Sequence, residues 1–135
     1  MSIGADAQAS AGHYISTSVT DSGTLNLTVT VPLGGSYYVW CRVLALNNQH
    51  DSFYARPTAN VEDVYDDAQG TWSPSWQWTG LNGRAGTNVP LTINPRLLTL
   101  ASGVNVLVFR GREVGSKLDR VLVTDDPNFI PTAGN

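Results

Sequence analysis

The chain has one cysteine, Cys41, so no internal disulfide staples the fold. It sits in the apolar pattern SYYVWCRV and reads as a small buried hydrophobe. The two histidines, His13 and His50, fall in no His-x-x-x-His or Cys/His ligand spacing. Charged residues are scarce, 14% of the chain, against ~25% in an average soluble domain. The 8 Lys and Arg are scattered and outnumbered by 11 Asp and Glu, so no basic patch exists to neutralise a phosphate backbone, and nucleic acid is excluded as a partner. No apolar run approaches the ~18 residues of a membrane span. The opening MSIGADAQ lacks a charged and then apolar leader, and Met1 reads as the start of a domain cut from a longer secreted protein. There is no G-x-S-x-G elbow and no phosphate loop, so catalysis has no motif to rest on. Helical periodicity over three turns is missing too.

What fills the chain is Thr, Ser, Asn and Gly around short apolar runs, the composition of antiparallel sheets with polar outer faces. Thr24–Val31 is the cleanest strand: Leu25, Leu27, Val29 and Val31 alternate with Thr24, Asn26, Thr28 and Thr30. Ser36–Leu46 is a long, two-sided apolar strand expected at a sheet centre, which makes Trp40 a core residue. His13–Thr17, Asp51–Arg56, Trp76–Leu81, Val89–Ile93, Pro95–Leu100, Gly103–Arg110 and Leu118–Thr124 read as further strands. Pro57 places Asp51–Arg56 at an edge or a bend, and Val61–Thr71 reads as irregular. Eight to ten antiparallel strands with Gly/Pro/Asn turns every 8–12 residues make an all-β sandwich of jelly-roll type. It forms one domain over residues 1–135 with a loose tail at 132–135.

Three of the four tryptophans crowd into Thr71–Thr79, TWSPSWQWT. Indoles in a Ser/Pro/Gly loop are costly to expose unless something flat lies on them, and in a secreted β domain the common flat partner is a sugar ring. Trp76 and Trp78 are two apart and share a face; Trp78 is expected in the core, while Trp72 and Trp76 are the candidate platforms. A ring stacked on a pyranose is worth about 1–3 kcal/mol by analogy with base stacking.

The order of short segments carries a resemblance. Ala9–Ile15, Gly35–Val43, Asp51–Tyr54, Trp76-Gln77-Trp78, Gly103–Phe109, Arg112-Glu113 and Lys117–Arg120 together resemble the carbohydrate-binding modules of families 6 and 35, in the galactose-binding-like β-sandwich group. The resemblance implies a non-catalytic, lectin-like domain whose sugar site lies in the loops at one end. It implies Trp76 or Trp72 as the stacking aromatic and a second aromatic position near His13 and Tyr14. Before the Leu-Asp of the last strand such modules carry Asn; here Lys117 stands there, which favours an acidic or differently substituted sugar. The resemblance also implies a structural Ca2+ at an N-terminal Glu-x-Glu, matched here by Asp6 and Gln8, with Asp119 or Asp125 contributing; neutral Gln8 removes one carboxylate. The implied partner is a polysaccharide or oligosaccharide, the implied location extracellular or at the cell surface, and the implied context a larger secreted protein.

Beside these stand the plainer readings. Arg112 and Glu113 either brace their loop or present a fork to sugar hydroxyls. Asp51 is either a turn former or a hydroxyl ligand, and Lys117 is otherwise a solvated charge. Glu62, Asp63, Asp66 and Asp67 read as a solvated loop, since four acids within six residues do not readily span a sugar ring as a hydrolase pair must. The rival to sugar binding is a structural or adhesion module of a bacterial surface protein, with the same sandwich and all its tryptophans buried.

Overall fold

The computed structural model of the chain describes residues 1–58, 60–66, 72–87 and 92–132. Among them are β1 (Ser2–Ala5), β2 (His13–Ser16), β3 (Thr24–Val31), β4 (Gly35–Leu44), β5 (Ser52–Pro57), β6 (Asp63–Asp66), β7 (Gln77–Gly80), β8 (Leu98–Leu100), β9 (Gly103–Gly111) and β10 (Lys117–Thr124). A single 3-10 turn, Ser10–Gly12, precedes β2. One antiparallel sheet runs β1-β2-β10-β4-β7, with β8 on the first residues of β4; the second runs β3-β9-β5-β6. The chain is thus an all-β sandwich, as its composition and turn spacing imply.

The alternation of β3 sets its face. Leu25, Leu27 and Val29 turn toward the core while their Thr and Asn neighbours are exposed, and the strand pairs along its whole length with β9. In β4, Val39, Cys41 and Val43 point inward. They meet Phe53, Ala55, Leu107 and Phe109 of the opposite sheet, together with Tyr65, Leu81, Leu98, Leu100 and Leu118, in one contiguous core. The Phe53 and Tyr65 rings lie stacked at 6.3 Å.

Several expectations need correction. Trp40 and Trp78 are not core residues. Both are half-buried on the outer face of the first sheet, since β4 alternates strictly and Trp78 pairs with the outward Arg42. β5 is not an edge strand: it lies between β9 and β6, and Pro57 is tolerated because it closes the strand beyond the last β6 partner, Ala55. The acidic segment is not a solvated loop either. Asp63 and Asp66 are buried in β6 and joined by ion pairs to Arg96 and Arg84, partners too distant in sequence to be foreseen. Asp67 and most of the expected strand Val89–Ile93 lie outside the described residues. The tail is tied down as far as Thr132, whose carbonyl accepts the Trp78 indole N–H at 3.2 Å.

Candidate functional site

β2, β4, β6 and β9 end, and β3, β5, β7 and β10 begin, at one end of the sandwich. Ser16 and Leu44 both face Lys117, Gln77 faces Val43, Asp66 faces Ser52, and Gly111 faces Phe53. The connections 17–23, 45–51 and 112–116, and residues 72–76 before β7, therefore share that end. The candidate residues form two clusters, one on the outer face of the first sheet next to that end and one among the connections themselves.

The first cluster is aromatic and cationic. Tyr14 and Trp76 stand 5.9 Å apart, ring centre to ring centre, tilted by 50°. Tyr14 fits because its cross-strand neighbour is Gly4: a Cβ at that position would collide with the Tyr14 ring. The Lys117 ammonium lies 4.6 Å from the Tyr14 ring centre, and the Arg42 guanidinium lies 5.5 Å from that of Trp76. Trp76 is aimed by its indole N–H, which donates to Asp6 Oδ2 at 3.3 Å. His13, which precedes Tyr14 in β2 and so points to the other face, is exposed, with its Nδ1 bonded to the Ala11 carbonyl.

The second cluster is polar. Trp72, 39% exposed, donates its indole N–H to Asp51 Oδ2 at 2.6 Å, which holds the ring at its edge. Behind it Asn48, Asp51, Asp66, Arg84, Arg112 and Glu113 line a hollow of about 170 Å³. Arg112 donates to Glu113 Oε1 at 2.9 Å and to the Ser52 hydroxyl, and Glu113 Oε2 accepts the Asp51 backbone N–H at 3.0 Å. Arg112 and Glu113 thus brace the β9–β10 connection against the start of β5. Arg84 pairs with Asp66, and its buried Nε has no hydrogen-bond partner.

The acids of this hollow are perturbed in opposite directions. Burial, followed by the charges of Asp66 and Glu113, raises the Asp51 carboxyl from 3.8 to about 7, although the Trp72 N–H pulls the other way. Burial also works against the Glu113 carboxylate, but hydrogen bonds from Asp51 and Ser52 and the Arg112 charge outweigh it and hold Glu113 below its ordinary value.

Asp6, Gln8 and Asp119, the residues that the resemblance assigns to calcium, are joined to protein donors. Asp119 is the extra residue of a bulge between Leu118 and Arg120. Its side chain is fully buried and accepts the Ser10 N–H on both oxygens, at 2.9 and 2.8 Å, and an ion pair from Arg42. Asp6 Oδ1 takes the Gln8 N–H and Oδ2 the Trp76 indole. A calcium ion takes six to eight oxygen ligands, and the carboxylate oxygens of Asp6 and Asp119 each accept an N–H donor. Asp125 is exposed in the turn after β10. No group of three or more His, Cys, Asp or Glu able to hold a metal occurs among the described residues.

Sequence reasoning missed Arg42, Asn48, Asp66 and Arg84 as members of this end. The available signal was an arginine in the middle of the otherwise apolar β4, which demands a partner. A larger hollow of about 320 Å³ opens between β10 and β3, where the apolar Ile3, Ile15, Leu25, Leu27, Leu118 and Val121 are joined by Ser10, His13, Tyr14, Asp119 and Arg120.

No family model matches the sequence, and no curated protein does. Solved structures do match. A family 35 carbohydrate binding module from Clostridium thermocellum aligns with a TM-score of 0.67 at 15% identity, over 91% of this chain and 86% of that one. An exo-beta-1,3-galactanase from Phanerochaete chrysosporium aligns with a TM-score of 0.67 at 16% identity over 91% of this chain, and a Podospora anserina GH26-CBM35 beta-(1,4)-mannanase with 0.66 at 13% over 96%. This chain spans about a quarter, 26%, of each of those two enzyme chains. The two sheets among the described residues thus make the β-sandwich that family 35 carbohydrate-binding modules share.

Proposed function

We propose that this domain binds polysaccharide without catalysis, and that in its parent protein it holds an attached enzyme or surface protein on glycan. The observation that carries the reading is the meeting of Tyr14, Trp76 and Lys117, three residues from distant parts of the chain, on the outer face of the first sheet. Two aromatic faces take the C–H face of a pyranose and remove water from it. Lys117 supplies three N–H donors for hydroxyl or carboxylate oxygens. Trp72 and the hollow behind it, with Asn48, Asp51 and Glu113, extend the surface along a second sugar unit. The likeness to carbohydrate-binding modules supports the fold on which this reading rests. So few contacts give a single-site Kd of roughly micromolar to millimolar, which tethering to an enzyme converts into useful residence.

Affinity electrophoresis through gels cast with galactan, mannan, xylan, pectin and β-glucan tests the proposal. The wild type is expected to be retarded by at least one of these, and Trp76→Ala to run free in it. A wild type retarded by none, with each gel validated by a known binder, overturns the reading and favours the structural or adhesion module.

A further inference from the structure

We propose that Arg42 is a built-in structural cation of this domain, a guanidinium that neutralises the buried Asp119 carboxylate in place of a bound metal and fixes the Trp76 ring at the loop end.

A wholly buried carboxylate must be charge-compensated and hydrogen-bonded. Asp119 has both from within the chain: the Ser10 N–H reaches its two oxygens, and Arg42 Nη1 forms the ion pair. The same guanidinium donates from Nη2 to the Gln8 carbonyl at 3.1 Å and lies 3.4 Å, through Nη1, from the Ser10 hydroxyl. One side chain on the central strand β4 thereby clamps the turn before β2 to the bulge in β10. Its guanidinium carbon lies over the Trp76 ring, 5.5 Å from the ring centre, and the Trp76 N–H is held in turn by Asp6.

The geometry needs a planar fork. A guanidinium offers in-plane donors to Asp119, Gln8 and Ser10 and still stacks on an indole; a lysine ammonium does neither at once. A divalent ion beside Asp119 would also face the charge of Arg42, and Gln8 brings no second carboxylate to offset it. Asp119, next to the inward Leu118, lies on the Arg42 face, and the bulge that puts Asp119 and Arg120 both opposite Arg42 returns Val121 to the core.

Thermal unfolding of the wild type in EDTA and in millimolar CaCl2 is the first test. Equal midpoints are expected; a rise of several degrees with calcium overturns the proposal. The second test is Arg42→Lys, followed by thermal unfolding and by the indole N–H cross-peaks in 1H–15N spectra. A lowered midpoint together with a displaced Trp76 cross-peak, the other three indoles moving less, is expected. An unchanged midpoint, or a lowered midpoint with Trp76 unmoved, overturns it. Should Arg42→Lys not fold, Asp119→Asn, which keeps the size of the side chain and removes its charge, is read by the same two measurements.

Discussion

The Lys117 ammonium lies over the Tyr14 ring, 4.6 Å from its centre, and no carboxylate among the described residues forms an ion pair with it. Tyr14 is in turn seated over Gly4. The lysine therefore rests on the platform that a sugar would use and has no competing charge to leave. A sugar stacking on Tyr14 displaces the lysine arm and receives its donors. Lys117→Ala is accordingly expected to weaken polysaccharide binding by about 1–2 kcal/mol, roughly tenfold, and to leave the unfolding midpoint almost unchanged. Titration calorimetry and thermal unfolding of the same variant check the two halves.

Gly4→Ala probes the same platform from below. A methyl group at that position needs the space taken by the Tyr14 ring, and the collision is with a side chain, so the ring rather than the backbone gives way. The variant is expected to fold and to lose binding to the extent that Tyr14→Ala does. Binding equal to the wild type would separate Tyr14 from the site.

The two tryptophans of the loop should behave differently from the two on the sheet. Trp72→Ala and Trp76→Ala are each expected to remove about 1–3 kcal/mol of binding. Trp78→Ala, whose indole is engaged by the Thr132 carbonyl, should reduce stability and leave binding largely intact. Affinity electrophoresis beside urea unfolding tells the two classes apart.

How much of this was legible in the sequence depends on the range of the forces involved. β3 could be read to the residue, because alternation of Leu and Val with Thr and Asn is a local signal. β4 was legible as central but not as sided: its outer row, Tyr38, Trp40 and Arg42, is nearly as apolar as its inner one, and only packing against the opposite sheet distinguishes them. β6 was hidden because two aspartates in a strand make sense only once Arg84 and Arg96 are folded against them. At the loop end, Tyr14, Trp76 and Lys117 could be named from the order of short segments. The bulge at Asp119 and its ion pair with Arg42 could not, since a one-residue shift and a cross-strand partner leave no local mark.

The Asp51 carboxyl makes stability depend on pH in an unusual direction. Its folded value is raised, from 3.8 to about 7, so between those values the folded state holds a proton that the unfolded chain has released. Its contribution therefore falls as pH rises through that window. Glu113, held low, contributes in the opposite sense: its share is present above its unfolded value and is lost as pH falls through the folded one. Asp51→Asn keeps an oxygen for the Trp72 N–H and removes the titration. Relative to wild type it is expected to gain stability at pH 8 and to gain little or none at pH 4, as measured by urea unfolding at both.

Asp63 decides whether the acids of β6 are structural or reactive. Its carboxylate accepts the backbone N–H groups of Val64, Arg84 and Ala85 at 2.8, 3.1 and 3.0 Å and pairs with Arg96. Burial alone would raise it, but these donors together hold it below 3.8. A carboxylate so held is a poor proton donor at neutral pH, and it serves instead to bind the segment after β7 to β6. Removing one partner of a buried, hydrogen-bonded ion pair costs about 3–5 kcal/mol. Asp63→Ala is expected to lose that much in urea unfolding. Because the folded value is depressed, the loss relative to wild type should be full above pH 4 and shrink as pH falls through the folded value. A variant as stable as wild type at pH 7 would mean that Asp63 has no structural task, and the acidic strand would then have to be reconsidered as a site of chemistry.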